Sequence, residues 1–261
     1  MRILLSNDDG IFAPGLAALN AAVSDLGEVT VVAPSSAQSA AGHSITLKDP
    51  LTVHRVQMND SPEPFWGNSV DGRPADCVRL AVRKLLAQWP DLVLSGINAG
   101  ANVGVNVFYS GTVAAAAEAA MLGIPSVALS AGYEGDPGEI DYERAARLCR
   151  WVLDRLLDVG LHDGDLINVN IPPVGCGRPA GVRVVPQSTS ELDDAYHEVP
   201  DGQGRHSYRL SDSYRFVDRH EDTDVGCLHA GCITVTPLHV DMTRHERMGA
   251  LAARQWDRPP A

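Results

Sequence analysis

The sequence predicts an α/β protein with a Rossmann-like, mainly parallel and doubly wound sheet. Short apolar stretches alternate with amphipathic helical patterns from residue 1 to about residue 171. These apolar stretches are continuous, as expected for strands that are buried on both faces of a parallel sheet. The chain of 261 residues has no internal repeat. We therefore expect one α/β domain over 1–261, with a core of about 1–171 plus 231–238, and a projecting hairpin and tail in the remainder.

The first part of the chain gives strand and helix signals with recognisable starts and ends. Arg2–Ser6 is a short apolar run that predicts the first strand. Pro14 suits the first turn of a helix and Gly27 suits its end, while Pro74 starts a second helix in the same way. The other elements predicted here are strand Glu28–Ala33, an edge strand or hairpin arm at Leu51–Val56, the continuation of the second helix to about Ala87, and strand Asp91–Ser95.

An alanine-rich helix is predicted at Thr112–Leu122, after a loop rich in Gly and Asn that spans Gly96–Gly111. Because alanine side chains are small, we expect this helix to lie very close to its neighbours. The strand and helix alternation then continues, as in βαβ units. The elements that continue it are strand Ile124–Ser130, helix Tyr142–Leu157 and strand Leu166–Ile171.

The character of the chain changes after about Pro172, where prolines and glycines cluster. Polar and apolar residues alternate in His206–Asp218, which predicts an antiparallel hairpin with Asp212 and Ser213 as its turn. Projecting hairpins and tails are typical arms for exchange between subunits, so we expect a homo-oligomer. The other elements predicted here are a short strand Val182–Val185, a core strand Cys232–Thr236 and a peripheral helix within Thr243–Trp256.

Composition and charge narrow the class of protein. The formal net charge is -12 at pH 7, which argues against binding to DNA or RNA but not against small phosphorylated ligands at a local cation. The five cysteines form no CxxC pair, and Cys77 and Cys149 fall within helical patterns, so we expect reduced thiols and a cytoplasmic protein. The chain opens directly on a strand and has no stretch long enough to span a membrane, so we expect no signal peptide and no membrane anchor.

Two adjacent acids, Asp8 and Asp9, directly follow the first predicted strand. Their charges repel each other, and no basic residue sits beside them in the sequence to offset the repulsion. In open α/β sheets, ligands bind outside the carboxyl ends of the strands, which is where these acids fall. A solvated turn would explain the residue types equally well, but a divalent cation would relieve the repulsion.

Two further loops after predicted strands carry short oxygen-bearing side chains. Pro34–Ser39 follows the second strand, and Gly96–Gly104 follows Asp91–Ser95. If these strands are neighbours, the loops converge with the acidic pair and offer oxygen ligands to Mg²⁺ or Mn²⁺. Zinc fits less well, because no cluster of Cys and His falls in the loops. For His43 a contact with backbone or water is the simpler interpretation, with metal or acid–base duty as a second one.

The start of the alanine-rich helix is a candidate anion site. Ser110 can cap the helix, and Gly111 lets the backbone come close to a ligand. The sequence here is not a P-loop, because no GKS or GKT follows the glycines, and Asp8-Asp9-Gly10 stands where a dinucleotide fingerprint would need GxGxxG. There is no GxSxG elbow, and nothing points to a Ser–His–Asp triad.

Taken together, these stretches resemble the SurE survival-protein family of metal-dependent 5'/3'-nucleotidases. The matches follow the family's order and span nearly the whole chain. As a set they are highly specific, although no single one would be. They are Asn7–Gly10, Gln38–Ser39, Pro74–Cys77, Ser95–Asn98 with Gly100, Asn102 and Gly104, Tyr109–Val113, Gly123–Ser126, Ile167–Asn170 and Thr236–Leu238.

The resemblance implies a function and assigns roles to residues. It implies release of phosphate from nucleoside monophosphates by homodimers or homotetramers with exchanged C-terminal segments, and some members also act on short polyphosphate. Asp8, Asp9, Ser39 and Asn98 correspond to the metal ligands, and the phosphate-binding groups correspond to Asn102, Ser110, Gly111 and Thr112. The chain departs from the family in three places: Arg73 replaces a usual Thr, Cys232 a usual Tyr, and the pair Ala119-Ala120 a Gly-containing pair.

Two functional hypotheses follow. In the first, the chain is a phosphomonoesterase in which Asp8, Asp9 and Asn102 are catalytic, through one Mg²⁺ or Mn²⁺ ion that polarises the phosphate. Attack by activated water and attack by an aspartate both remain open, and water is the preferred hypothesis. In the second, the same crevice holds a nucleotide without turnover, and the oligomer serves as a sensor.

Overall fold

The computed structural model describes residues 1–58, 64–173, 177–200, 206–211, 215–217 and 219–254. Its main feature is one nine-stranded sheet with helices on both faces, which confirms the predicted α/β class. The strands are β1 Arg2–Ser6, β2 Glu28–Pro34, β3 Val53–Met58, β4 Phe65–Val70, β5 Leu92–Ala99, β6 Ser126–Ala131, β7 Leu166–Ile171, β8 Gly181–Val184, β9 Leu192–Asp193, β10 Tyr196–Pro200, β11 His206–Leu210, β12 Arg215–Phe216 and β13 Cys232–Leu238.

The sheet is mainly parallel. Its strand order is β3-β4-β2-β1-β5-β6-β7-β13-β8, and the six strands from β4 to β7 in that order run in the same direction. The edge strand β3 is antiparallel to β4, and β13 is antiparallel to β7. The carboxyl ends of β2, β1 and β5 therefore lie side by side, so the three loops predicted to converge do follow neighbouring strands.

Two layers of helices cover the sheet. Helices α1 (Pro14–Val23) and α4 (Tyr142–Val159) pack on one face, and α2 (Pro74–Leu80) and α3 (Gly111–Met121) on the other. Every residue of α3 from Gly111 to Ala120 is buried, as its alanine content predicts. Two further helices follow, α5 (Asp224–His229) and α6 (His245–Ala252). Among the residues described, no helix is long and apolar enough to cross a bilayer.

Two predicted elements have different bounds in the structure, and one observed strand was not predicted. The helix predicted from Pro74 to Ala87 ends at Leu80 and continues only as a π-helical turn, Ala81–Leu85. Strand β5 runs past Ser95 to Ala99, because its pairing with β6 resumes at Asn98 after a register shift. Strand β4 was not predicted, since FWGNSV mixes aromatic residues with the Gly, Asn and Ser typical of turns.

The hairpin predicted within His206–Asp218 is wrong in its pairing. Strand β11 pairs with β10, and β12 pairs with β9, so the two halves of the predicted hairpin belong to different two-stranded sheets. Residues this polar leave the register weakly specified, which is why alternation alone named the wrong partner. The predicted turn at Asp212 and Ser213 lies outside the described residues. The predicted tail helix is present as α6, within narrower bounds.

Candidate active site

The acidic pair lies at the carboxyl end of β1, against the start of α3. Asp8 is buried, with 7% of its surface exposed. Its carboxylate accepts a hydrogen bond from the Thr112 hydroxyl and further ones from the backbone N–H groups of Gly111 and Thr112. An added Cβ on Gly111 would come within 2.7 Å of the Asp8 Cβ, so this approach requires glycine. The structure therefore brings Asp8, Gly111 and Thr112 together, with Asp8 as the anion at the helix start.

Both carboxyl groups are disfavoured in their charged form. Burial raises the pKa of Asp8, and the hydrogen bonds from Thr112 and Gly111 partly oppose that shift. The pKa of Asp9 is raised to about 6, first by burial and then by the negative charge of Asp8, while the N–H of Ala99 opposes the rise. A bound cation would favour ionisation of both groups.

The loop after β2 lies alongside the acidic pair. The N–H of Gln38 donates to the backbone oxygen of Asp8 over 2.7 Å, and that of Ile11 donates to the oxygen of Pro34 over 2.8 Å. Ser39, the next residue after Gln38, is exposed. The loop thus carries Ser39 to the neighbourhood of Asp8.

The loop after β5 contacts Asp9. The N–H of Ala99 donates to Asp9 Oδ2 over 3.2 Å. Asn98 is half-buried, and its amide Nδ2 donates to the oxygen of Gly100 over 2.7 Å. This bond directs the amide nitrogen of Asn98 at the backbone of Gly100, so Oδ1 is the side-chain atom suited to a cation. The peptide bond between Gly96 and Ile97, just before Asn98, is cis.

Asn102 and Ser110, the remaining predicted phosphate-binding residues, are both buried. Asn102 Nδ2 donates to Ser130 Oγ over 2.9 Å. This bond uses one of the two amide hydrogens of Asn102, and the other hydrogen and Oδ1 take no part in it. Ser110 Oγ accepts a hydrogen bond of 3.1 Å from the N–H of Val113, so Ser110 is the N-cap of α3 as predicted.

The donor chemistry of this site fits a hard divalent cation. The described residues contain no group of three or more His, Cys, Asp or Glu side chains suited to a metal, which leaves the carboxylate, amide and hydroxyl oxygens of the three loops as candidate ligands. Such oxygens suit Mg²⁺ or Mn²⁺ better than zinc. Asn7 Oδ1, next to the pair, is buried and has no hydrogen-bond partner within the described structure. Two repelling carboxylates and a buried oxygen without a donor are what a cation would stabilise.

His43 has a different partner from either predicted one. Its Nε2 lies 3.0 Å from Glu118 Oε2, and Arg79 binds the other oxygen of the same buried carboxylate. Burial alone would raise the pKa of Glu118, but the hydrogen bonds from His43 and Arg79 outweigh it and lower that pKa. His43 therefore fastens the loop after β2 to helix α3.

The residues that support Asn102 could not be identified from local sequence. Asn168 and Asn170, on β7, both hydrogen-bond to the backbone of Asn102 and are fully buried. Their signal was the presence of two asparagines in an otherwise apolar strand, which predicts buried hydrogen bonds but no partner. Arg73, one of the departures from the family pattern, donates from its guanidinium to the side chain of Gln38, in the loop that carries Ser39.

Comparison with known proteins adds independent evidence. Residues 3–194 match the model of the family described as Survival protein SurE. The protein of Syntrophobacter fumaroxidans named 5'-nucleotidase SurE is 43% identical over 252 residues, covering 96% of this chain and 98% of that one. The protein of the same name from Desulforudis audaxviator is 42% identical over 260 residues, covering 98% and 97%.

A solved structure agrees with these sequence matches. The crystal structure of the SurE protein from Aquifex aeolicus has a TM-score of 0.81 and 37% sequence identity, covering 96% of this chain and 98% of that chain. Both the fold and the sequence thus match over nearly the full length of the compared proteins. The chain belongs to the SurE family.

Proposed function

We propose that this protein is a divalent-metal-dependent phosphomonoesterase that hydrolyses nucleoside 5'-monophosphates to nucleoside and phosphate. The observation that carries the proposal is the buried Asp8 carboxylate beside Asp9, held by the start of α3 where three loops converge. Family membership supports a nucleotidase, since the relatives that match nearly the whole chain are named 5'-nucleotidases. Nucleoside 3'-monophosphates and short-chain polyphosphate are further candidate substrates.

In this proposal Asp8, Asp9, Ser39 and Asn98 hold one Mg²⁺ or Mn²⁺ ion. The ion supplies Lewis acidity toward a phosphate oxygen when it is bound. Thr112 and the N–H of Gly111 fix the orientation of the Asp8 carboxylate. Asn102, the hydroxyl of Ser110 and the positive end of the α3 dipole stabilise negative charge on the phosphate. Asp9 or Asp8 is also the candidate base that accepts a proton from the attacking water.

The proposal also concerns partners. A homodimer or homotetramer with exchanged C-terminal segments would follow the resemblance, and the chain would bind neither nucleic acid polymers nor membranes. A cytoplasmic location and a single domain over 1–261 complete the proposal. The net charge of -12 supports the exclusion of nucleic acid polymers.

A substrate-by-metal panel tests the activity. Phosphate release is measured from AMP, GMP and p-nitrophenyl phosphate with Mg²⁺ or Mn²⁺, and again with EDTA. We expect release that depends on the metal and is abolished by EDTA. Binding of AMP without release from any of the three would instead favour the sensor hypothesis.

Replacing Asp8 tests the proposed ligand. We expect Asp8→Asn to abolish phosphate release while the protein stays folded, because the variant lacks the charge that would hold the ion. Asp163→Asn, which removes an exposed carboxylate, serves as the matched control and keeps its activity. Circular dichroism and thermal unfolding check the fold of both variants. Most of the activity remaining in Asp8→Asn with added Mn²⁺ would contradict the role of Asp8.

A further inference from the structure

The loop between β5 and α3 is held mainly by side chains from distant parts of the chain. After the N–H of Gly100 pairs with Ala131, the backbone leaves the sheet and reaches the 3₁₀ turn Gly104–Phe108. Two of its residues, Asn102 and Gly104, have their backbone groups bound by side chains. We call residues 100–110 the anchored loop. It carries Asn102 and ends at Ser110.

The first anchor, formed by Asn168 and Asn170, hydrogen-bonds to both backbone groups of Asn102. Asn170 Oδ1 accepts the N–H of Asn102 over 2.7 Å, and Asn170 Nδ2 donates to the backbone oxygen of Asn102 over 3.2 Å. Asn168 Nδ2 donates to the same oxygen over 2.7 Å. Asn168 and Asn170 are two residues apart on β7, so they share a face of the sheet, and neither is exposed. The amide side chain of Asn170 thus makes the two hydrogen bonds to the Asn102 backbone that a neighbouring strand would make.

The second anchor, formed by Gln187 and Asp224 from the C-terminal part of the chain, hydrogen-bonds to the backbone of Gly104. Asp224 Oδ2 accepts the N–H of Gly104 over 2.9 Å, and Gln187 Nε2 donates to its oxygen over 2.8 Å. Gly104 has a φ of +56°, and an added Cβ would lie 2.6 Å from a ring carbon of Phe216. Its backbone is therefore enclosed by residues that follow β8 in sequence.

The anchors leave the loop little freedom. Asn170 and Asp224 are fully buried, so any movement of Asn102 or Gly104 would leave buried polar groups without partners. The backbone of Asn102 is bound at both its N–H and its oxygen, and so is that of Gly104. Such supports are what hold reacting groups in a productive geometry.

We propose that Asn170, Asp224 and Gln187 are positioning residues, which fix the anchored loop so that the Asn102 amide and the start of α3 meet the substrate phosphate together. This rests on the function proposed above. It gives the C-terminal part of the chain a role in turnover, because Asp224 and Gln187 come from that part. The supports act through the backbone of the loop and touch no substrate themselves.

Asn170→Ala tests the first anchor. We expect kcat for AMP to fall about 100-fold with little change in KM, because misplacement by about 1 Å is felt mainly in the transition state. The rise in Tm on adding MnCl₂ alone should match that of the unmodified protein, because Asp8 and Asp9 are not part of the anchor. A merely structural role would lower Tm without this split between kcat and metal binding.

Thr234→Val is the matched control. Thr234 lies opposite Asn170 in the β13–β7 register, is fully buried, and its hydroxyl has no hydrogen-bond partner within the described part of the chain. The substitution perturbs the same place in the sheet and removes no hydrogen bond to the anchored loop. We expect kcat and KM to stay within about twofold of the unmodified protein.

Gln187→Ala keeps the inference testable if Asn170→Ala does not fold. Gln187 is only half-buried, so its truncation should be tolerated, and we expect a loss in kcat of about tenfold. An unmodified protein that releases no phosphate from AMP would overturn both the proposed function and this inference. An active unmodified protein with unchanged kcat in folded Asn170→Ala or Gln187→Ala would overturn the inference alone, and so would an equal loss of kcat in Thr234→Val.

Discussion

Asp9 connects the chemistry of the site to the stability of the protein. Its carboxyl is half-buried and lies beside a second carboxyl, so the folded protein retains a proton that an exposed aspartate would lose. Asp8 has the stronger hydrogen-bonded support, from Thr112 and Gly111. The two neighbouring acids are therefore not equivalent. Asp8 is oriented by protein donors, whereas Asp9 depends more on a cation to become charged.

The stability of the metal-free protein should depend on pH through Asp9. The folded pKa of about 6 lies above that of an unfolded aspartate, about 3.9. Between these values the folded state binds more protons than the unfolded state, so stability falls as pH rises through this window and the loss is complete above it. Urea unfolding with EDTA from about pH 4.5 to 7.5 measures this slope.

Asp9→Asn is the comparison for that measurement. It cannot ionise, so the difference in stability between the variant and the unmodified protein should grow from about pH 4 to 6 and then stay constant. Mn²⁺ should stabilise the unmodified protein more at about pH 7.5 than at about pH 5, since the ion competes with the proton. Parallel pH curves for the two proteins would contradict the raised pKa of Asp9.

For single residues, the sequence predicted the charged groups of the site better than the residues that hold the site in place. Asp8 and Asp9 stand out because two acids follow an apolar strand with no basic neighbour. Asn170 and Asp224 lie 68 and 120 residues from the backbone groups they bind, and local sequence contains no such distances. The orientation of Ser39 and Asn98 depends on loop conformation, which composition does not determine.

Among the helices, α3 sets how closely its own layer lies to the sheet. Its alanines pack against α2 and the sheet, and its first residues hold Asp8. Because Ala116 is fully buried, a larger side chain there has no space without displacing the helix. The position of the site therefore depends on small residues that take no part in its chemistry.

Enlarging Ala116 tests this dependence. We expect Ala116→Leu to lower the free energy of unfolding by about 1–3 kcal/mol through overpacking. Met121, at the end of the same helix, is 54% exposed, and Met121→Leu should change stability by less than about 0.5 kcal/mol. Urea unfolding of both variants measures the difference. Equal stabilities would mean that the helix shifts outward at no cost, against the tight packing observed.

The prediction of elements succeeded where apolar residues specify burial on both faces. Strands β1 and β7 have the predicted bounds, because their buried apolar runs end at clear polar signals. Strand β4 was not predicted, and β11 and β12 were paired with each other instead of with β10 and β9. The polar residues of these strands fit several registers. Sequence patterns thus predicted the core of the sheet, whereas the projecting part required long-range pairing to be known.

At the scale of the whole molecule, the β10–β11 ribbon lacks the support that the main sheet has. Within the described part of the chain its strands pair with each other alone, and a two-stranded hairpin is marginal in water by itself. The register places Tyr196 opposite Leu210 and Glu198 opposite Tyr208, so the two tyrosines and the leucine share one face. Tyr196 and Tyr208 are 67% and 61% exposed. This face is suited to burial against a second copy of the chain.

We expect the ribbon to contribute to the proposed homo-oligomer. The double variant Tyr196→Ser, Tyr208→Ser should shift the protein toward the monomer, because it removes apolar surface from one face of the ribbon. Val159→Ser, at the exposed end of α4, removes apolar surface elsewhere and should leave the oligomer intact. Size-exclusion chromatography with light scattering over a dilution series measures the change. A monomeric unmodified protein, or equal dissociation of both variants, would show that this face does not carry the association. If the association does depend on it, the ribbon links assembly to the same C-terminal region that anchors the loop at Gly104.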